Sequence, residues 1–320
     1  MKARQRRPVI TSDFTEYLEL REPDPTGEEA RRRIIRVLLN RAALPSFSAS
    51  TARLFRMCQD PRTDVDDLAA VIALDPALSL RCLRAAASVR FGARQIHSIQ
   101  DAIFATGMRN LLQIAMTAGL MEKMRHLSTS VDWRRFWFHS VLVARLSEQI
   151  ATAFAVPNGT GYLAGLLHDI GKVLIQQNFP AAFEEIISHA IAIQASHHVA
   201  EAQVIGLDHA QIGAAMCELI GVPRPMVVAV RYHHEPLCAA CVADRDTMSG
   251  LLPAIIAVAN ATAKLGQAGF ESSEPARPLE ELPEYHHLAH FERRSEIMLD
   301  VVSDLAYTEA DLDALLPGRN

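Results

Sequence analysis

Apolar positions recur along this chain at three- and four-residue intervals, and no long alternating run of β-branched residues interrupts them. That period is the one an amphipathic helix needs to bury one face. The spacing predicts an all-α fold. Residues 1–33 are mostly polar, carry Pro23 and Pro25, and read as an arm. A helix is expected from near Ala30, with Ile34, Ile35, Leu38 and Leu39 on its apolar side. Asp64 is placed to cap a helix running through Val65, Leu68, Ala69 and Ile72. Asp75-Pro76 marks the next start, because proline fits the first helical turn. That helix carries Leu78, Cys82, Leu83 and Ala86 and is expected to end at Phe91-Gly92. Ser98 opens another, with Asp101 as its reciprocal capping partner, holding Ile99, Ala102 and Ile103 and ending at Gly107. A further helix is expected over about 110–124. Together these form an N-terminal helical bundle over 34–126.

The polar stretch 127–132 reads as a boundary, and a second helical unit is expected over 132–265. Residues 266–320 then supply a loop rich in Pro, Glu and Ser and two C-terminal helices, one from near Leu288 to Leu305 and a short one after Thr308. The stripe Ile297, Met298, Val301, Val302 and Leu305 either docks across the two bundles or makes a homodimer contact.

Charge narrows the function classes. The formal net charge is -5, and the basic groups Lys2, Arg4, Arg6, Arg7 and Arg31-Arg32-Arg33 are interleaved with Glu16, Glu19, Glu28 and Glu29. This is a solvated arm, and nucleic acid is not the expected partner. No apolar run is read as reaching the ~18 residues of a membrane span, and no apolar segment follows the basic N-terminus, so no signal peptide is expected. Five cysteines, an odd number, fit reduced thiols in a cytoplasmic protein. Cys238 and Cys241 form a lone CxxC, read as two packed thiols.

The chemistry concentrates in His139, His168-Asp169, His209 and His233-His234. His139 shares a helix face with Leu142, Val143, Leu146 and Ile150, so it should point inward. His168-Asp169 lies in an apolar helical run, where an unpaired carboxylate would be costly and a metal is one partner for it. Gly165 and Gly171 beside it permit close backbone approach. Asp208 and Gln211 form a capping box that puts His209 in a first turn. His233-His234 closes a helix that Pro225 opens and Pro236 stops. A single histidine on an apolar face is usually a satisfied core residue. Five histidines and an aspartate able to converge are also a fitting set for zinc, iron, manganese or nickel. From the residues alone both readings stand. His97, His126, His189, His197, His198, His286, His287 and His290 lack such contexts and read as surface or loop positions.

At these residues the chain resembles the HDOD domain, a bacterial relative of the HD and HD-GYP phosphohydrolases, over about 44–265. The N-terminal resemblance rests on Leu44-Pro45, Asp75-Pro76-Ala77-Leu78-Ser79, Ser88, Phe91-Gly92, Ile96, Ser98-Ile99, Ala102-Ile103 and Gly107. The second half resembles the HD core through His139, through Gly165-Leu166-Leu167-His168-Asp169-Ile170-Gly171-Lys172, and through His209-Ala210-Gln211-Ile212-Gly213 and His233-His234-Glu235-Pro236. The resemblance implies an N-terminal bundle packed on an HD-type bundle. In HD-GYP enzymes the matching positions hold two or three metal ions and hydrolyse cyclic-di-GMP. That implies His139, His168, Asp169, His209, His233 and His234 as ligands, with Asp169 and Lys172 catalytic, Lys172 matching a lysine on substrate phosphate. HDOD proteins have generally lost several ligands and are regarded as signalling modules acting on protein partners.

The chain departs from both patterns. The final HD-type aspartate appears as Asn260, and Pro236-Leu237-Cys238-Ala239 stands where a GYP loop would follow. Ala87 and Thr106 replace the residues common in HDOD chains before Ser88 and Gly107. Two divalent ions carry four positive charges, while the histidines and Asp169 supply one negative charge and Asn260 only a carbonyl oxygen. A weakened or mononuclear site is expected. The resulting expectation is a non-catalytic signalling module, with a metal-dependent phosphohydrolase acting on a nucleotide or cyclic dinucleotide as the alternative.

Overall fold

A computed structural model describes residues 53–54, 56–57, 60, 62–87, 96–123, 132–238, 241, 247–266, 268–269 and 276–292. Among them every regular element is helical. The helix opened by Asp75 stops at Ala86, with Ala87 as its C-cap, short of the expected Phe91-Gly92. The expectations for the arm and the helix from Ala30, for 127–131, for the stripe 297–305 and for the helix after Thr308 fall outside the described residues.

The N-terminal helices start where their caps dictate. Asp64 accepts from Asp67 N at 2.8 Å and opens α1, Val65–Ala73. Asp75 accepts from Ala77 N and Leu78 N, both at 3.1 Å, and opens α2, Pro76–Ala86. Ser98 and Asp101 cap each other's backbone at the start of α3, Ile99–Thr106. Gly107, at φ 81°, turns the chain into α4, Met108–Lys123. A positive φ costs glycine nothing, and that lets two helices follow almost without a linker.

The second unit comprises α5 (Trp133–Ala153), α6 (Thr160–Leu167), α7 (Ile170–Asn178), α8 (Pro180–Ile193), α9 (His197–Val204), α10 (His209–Leu219), α11 (Arg224–Tyr232) and α12 (Met248–Leu265). A 3₁₀ turn, Leu279–Glu281, leads into α13, Pro283–Glu292. This last helix begins at Pro283, five residues before the expected Leu288, because that proline supplies a ready first turn.

The core is continuous from Leu54 to Leu288 and includes both bundles. Thr117 of α4 and Tyr162 of α6 join their hydroxyls at 2.7 Å across the two units. The long α5 lies close along α6. A Cβ added at Gly161 would stand 2.6 Å from the Ser147 carbonyl oxygen, and one at Gly165 would stand 2.7 Å from Ala144 Cα. Gly159 offers α6 no side-chain cap, and the buried Glu148 of α5 does the work instead, accepting from Gly159 N at 2.6 Å and Tyr162 N at 3.0 Å. An anion at a helix N-terminus also suits the helix dipole.

Among the described residues only Met248–Leu265 is long and apolar enough to cross a membrane, a length the sequence was not read as reaching. It is a mostly buried core helix, packed on α5, α6 and α11, and burial inside the fold explains its apolar composition.

Candidate metal centre

Asp169 is the hub. His168 and Asp169 form the junction between α6 and α7, correcting the expectation that the pair lies inside one helix. Asp169 leaves helical geometry at φ −101°, ψ 7°, and this break turns its carboxylate to the centre of the bundle. The two carboxylate oxygens face different neighbours. Oδ2 lies 2.7 Å from Lys172 Nζ, 3.4 Å from His168 Nε2 and 4.0 Å from His139 Nε2. Oδ1 lies 3.0 Å from His209 Nε2 and 3.7 Å from His233 Nε2. His234 Nε2 stands 3.0 Å from His209 Nε2. Six of the seven sequence-predicted ligands therefore meet: donor atoms of Asp169, His209, His233 and His234 lie within 4.8 Å of one another, as do those of His139, His168 and Asp169.

Each imidazole is fixed from behind. Nδ1 bonds the Ala268 carbonyl in His139 (3.0 Å), the Gly165 carbonyl in His168 (2.7 Å) and the Val230 carbonyl in His233 (2.8 Å). A carbonyl only accepts, so these rings carry their proton on Nδ1 and aim the Nε2 lone pair at Asp169. His168 Nε2, His233 Nε2 and Asp169 Oδ1 are buried with no hydrogen-bond partner. Lone pairs and a carboxylate oxygen facing one another in the dark of a core are costly unless a cation joins them. The residues thus fit a divalent transition metal, held through Nε2 atoms and a carboxylate oxygen.

Burial keeps most of the rings in the neutral, ligating form. It pushes His139 down to about 3, and lowers His168, His233 and His234 with help from neighbouring imidazoles in the last two. Burial also pushes Asp169 up, but His168, Lys172 and His209 outweigh it and hold the carboxyl well below its ordinary value. His209 is the exception: burial is the largest influence and pushes it down, but Glu201 and Asp169 together outweigh it and lift it to about 9.

Glu201 was missed. The charge count from sequence gave the centre a single carboxylate; the structure adds this fully buried second one from α9. Its Oε2 accepts from both His209 N and His209 Nδ1 at 2.7 Å. A carboxylate behind a ligating histidine fixes the ring and raises its basicity, and losing such a partner typically weakens metal affinity about 10–100-fold. Glu201→Gln is accordingly expected to weaken metal binding at least about 10-fold without removing a direct ligand. A competition titration against a chromogenic chelator measures this, and unchanged affinity would refute the role.

Two histidines expected on the surface are not free there: His197 is buried, and His198 stacks on His234 with centroids 3.9 Å apart. His97 and His286 are exposed as expected. Lys172, expected on a substrate phosphate, is buried with its ammonium on Asp169. Asn260 is buried on α12, which packs against α5, and its side-chain oxygen has no hydrogen-bond partner. Cys238 Sγ donates to Cys241 Sγ at 3.3 Å, and the two thiols form no disulfide.

The sequence profile of the HDOD domain matches residues 44–236. The chain belongs to the HDOD domain family. An uncharacterised protein of Treponema pallidum (strain Nichols) is 26% identical to this HDOD chain over 199 residues, covering 60% of the chain and 38% of that relative. The chain therefore spans well under half the length of that curated relative. Among solved structures, an HDOD domain protein of Geobacter sulfurreducens superposes with a TM-score of 0.75 at 23% identity, covering 90% of this chain and 99% of that one. A Marinobacter aquaeolei protein, provisionally named a signal transduction protein, gives 0.72 at 21% identity over 92% of this chain and 67% of that one. Both likenesses are of fold.

Proposed function

We propose that this HDOD chain is a signal-transduction module that works through protein contacts and keeps a metal-holding pocket without hydrolytic turnover. The observation that carries the reading is the state of Asp169 Oδ2. Its nearest neighbour is the Lys172 ammonium at 2.7 Å, and the α12 residue that would add a second carboxylate is Asn260. Hydrolysis of the HD type relies on metal-activated water and on ions that stabilise both attacking and leaving oxygens. A pocket with its lysine turned onto its aspartate, and one anionic ligand short, is poorly equipped for that. In this reading His209, His233, His234 and Asp169 hold the ion, with His139 and His168 beside them; a bound ion would supply a Lewis acid. Apolar surface for a protein partner is available on the N-terminal bundle, where Phe104 is 80% and Leu74 70% exposed.

The second reading, a metal-dependent phosphohydrolase acting on a nucleotide or cyclic dinucleotide, is favoured by the convergent Nε2 atoms alone. One experiment separates the two. The full chain, loaded in turn with Mn²⁺, Fe²⁺, Zn²⁺ and Ni²⁺, is incubated with cyclic-di-GMP, nucleoside mono- and triphosphates and bis(p-nitrophenyl) phosphate. Product formation is expected to stay at the level of metal ion alone. Turnover that disappears in Asp169→Ala would overturn the signalling reading.

A further inference from the structure

We infer that the pocket takes one divalent ion, on the Asp169 Oδ1 side with His209, His233 and His234, and that the Lys172 ammonium stands in for a second ion on the Oδ2 side. The inference deepens the metal reading above and rests on it.

The two sides of Asp169 are not equivalent. On the Oδ1 side the carboxylate oxygen is buried without a hydrogen-bond donor, and the Nε2 atoms of His209, His233 and His234 complete a four-donor set within 4.8 Å. Among the described residues no lysine or arginine is hydrogen-bonded to that oxygen. The second buried carboxylate, Glu201, also serves this side, through His209 Nδ1 at 2.7 Å. A divalent ion there meets two negative charges, one direct and one relayed through an imidazole.

On the Oδ2 side the set is smaller. Among the described residues, His139 and His168 are the imidazoles whose donors group with Asp169 there. Lys172 Nζ already bonds Oδ2 at 2.7 Å. An ion coordinating Oδ2 at about 2.1 Å would lie within about 5 Å of that ammonium, with little water between to screen the repulsion. Lys172 is itself buried. Its hydrocarbon stem sits inside the bundle, so the charge cannot simply swing into solvent. What would offset the repulsion is another carboxylate, and the position that the HD resemblance assigns to it is Asn260 on α12. An amide oxygen is a weaker, neutral ligand for a hard or borderline cation. The ammonium therefore does for Oδ2 what a metal would do: it neutralises the carboxylate and satisfies the oxygen. It leaves His139 and His168 as neutral rings, as burial already dictates.

Metal content tests this directly. The purified full chain is equilibrated with a small molar excess of Mn²⁺ or Zn²⁺, desalted and analysed by inductively coupled plasma mass spectrometry. One ion per chain is expected. His234→Ala is expected to lose it, with content falling at least ten-fold, while His139→Ala keeps it. The double variant Lys172→Met with Asn260→Asp removes the competing cation and restores the carboxylate, and is expected to take two ions. Anomalous diffraction from unmodified protein grown with Zn²⁺ locates the ion independently of any variant's folding, with the peak expected beside His209, His233 and His234. Two ions in the unmodified chain, or a peak beside His139 and His168, would overturn this inference and leave the metal reading standing. A chain that takes up neither metal overturns both.

Discussion

Asp169→Ala is expected to destabilise the metal-free chain by about 3–5 kcal/mol, the range for removing one partner of a buried ion pair. The cost comes from what is left behind. Lys172 Nζ loses its 2.7 Å partner while staying buried, and His209 loses the carboxylate oxygen 3.0 Å from its Nε2. An uncompensated buried charge is far worse than an absent pair, because desolvation is no longer offset. Adding Lys172→Met should therefore recover most of the loss, since an apolar side chain of similar length replaces the orphaned ammonium. Urea unfolding in the presence of chelator, followed by circular dichroism, gives the three-way comparison. A single-variant cost below about 1 kcal/mol, or no recovery in the double variant, would mean that the pair is solvated and that the charge argument fails.

Local signals were legible in the sequence and long-range ones were not. Asp64, Asp75, Ser98 and Asp208 each open a helix at the expected place, because a cap needs only its own first turn. His139 points inward because three- and four-residue spacing fixes a helix face. The resemblance to HDOD and HD proteins supplied the rest of the ligand set, and the structure brings those side chains to one pocket. The break at His168-Asp169 was hidden by an unbroken apolar string with no proline. Glu201 was hidden more deeply. It lies in Ala200-Glu201-Ala202-Gln203, which reads as a solvated helix face, and only the fold of α9 against α10 shows that it is buried on His209. A glutamate eight residues ahead of a predicted ligand was the one available hint. The direction of Lys172 was illegible for a related reason: the sequence places it one turn beyond Asp169, where it can reach either that carboxylate or a ligand outside, and burial decides.

Gly171→Ala is expected to cost about 3 kcal/mol, the upper part of the usual range for overpacking, and to weaken metal binding at the same time. Gly171 is the second residue of α7 and rests against the start of α10. A Cβ there would collide with the His209 carbonyl group, its carbon included at 2.7 Å, and backbone cannot rotate aside as a side chain can. Gly213 makes the reciprocal approach, its added Cβ falling 3.2 Å from Gly171 N. The clash can be relieved only by moving the first turn of α10 away from α7. That turn carries His209, and α7 begins at Asp169, so the same displacement opens the 3.0 Å gap between His209 Nε2 and Asp169 Oδ1. Gly161→Ala is the control. Its Cβ would crowd Ser147 and Ala151 on the α5–α6 face, away from the ligands, so it should lower stability while the folded protein keeps its metal affinity. Thermal melts and chelator competition on the two variants separate packing from pocket geometry. If both glycine variants bind metal as the unmodified chain does, the α7–α10 contact does not set the position of His209.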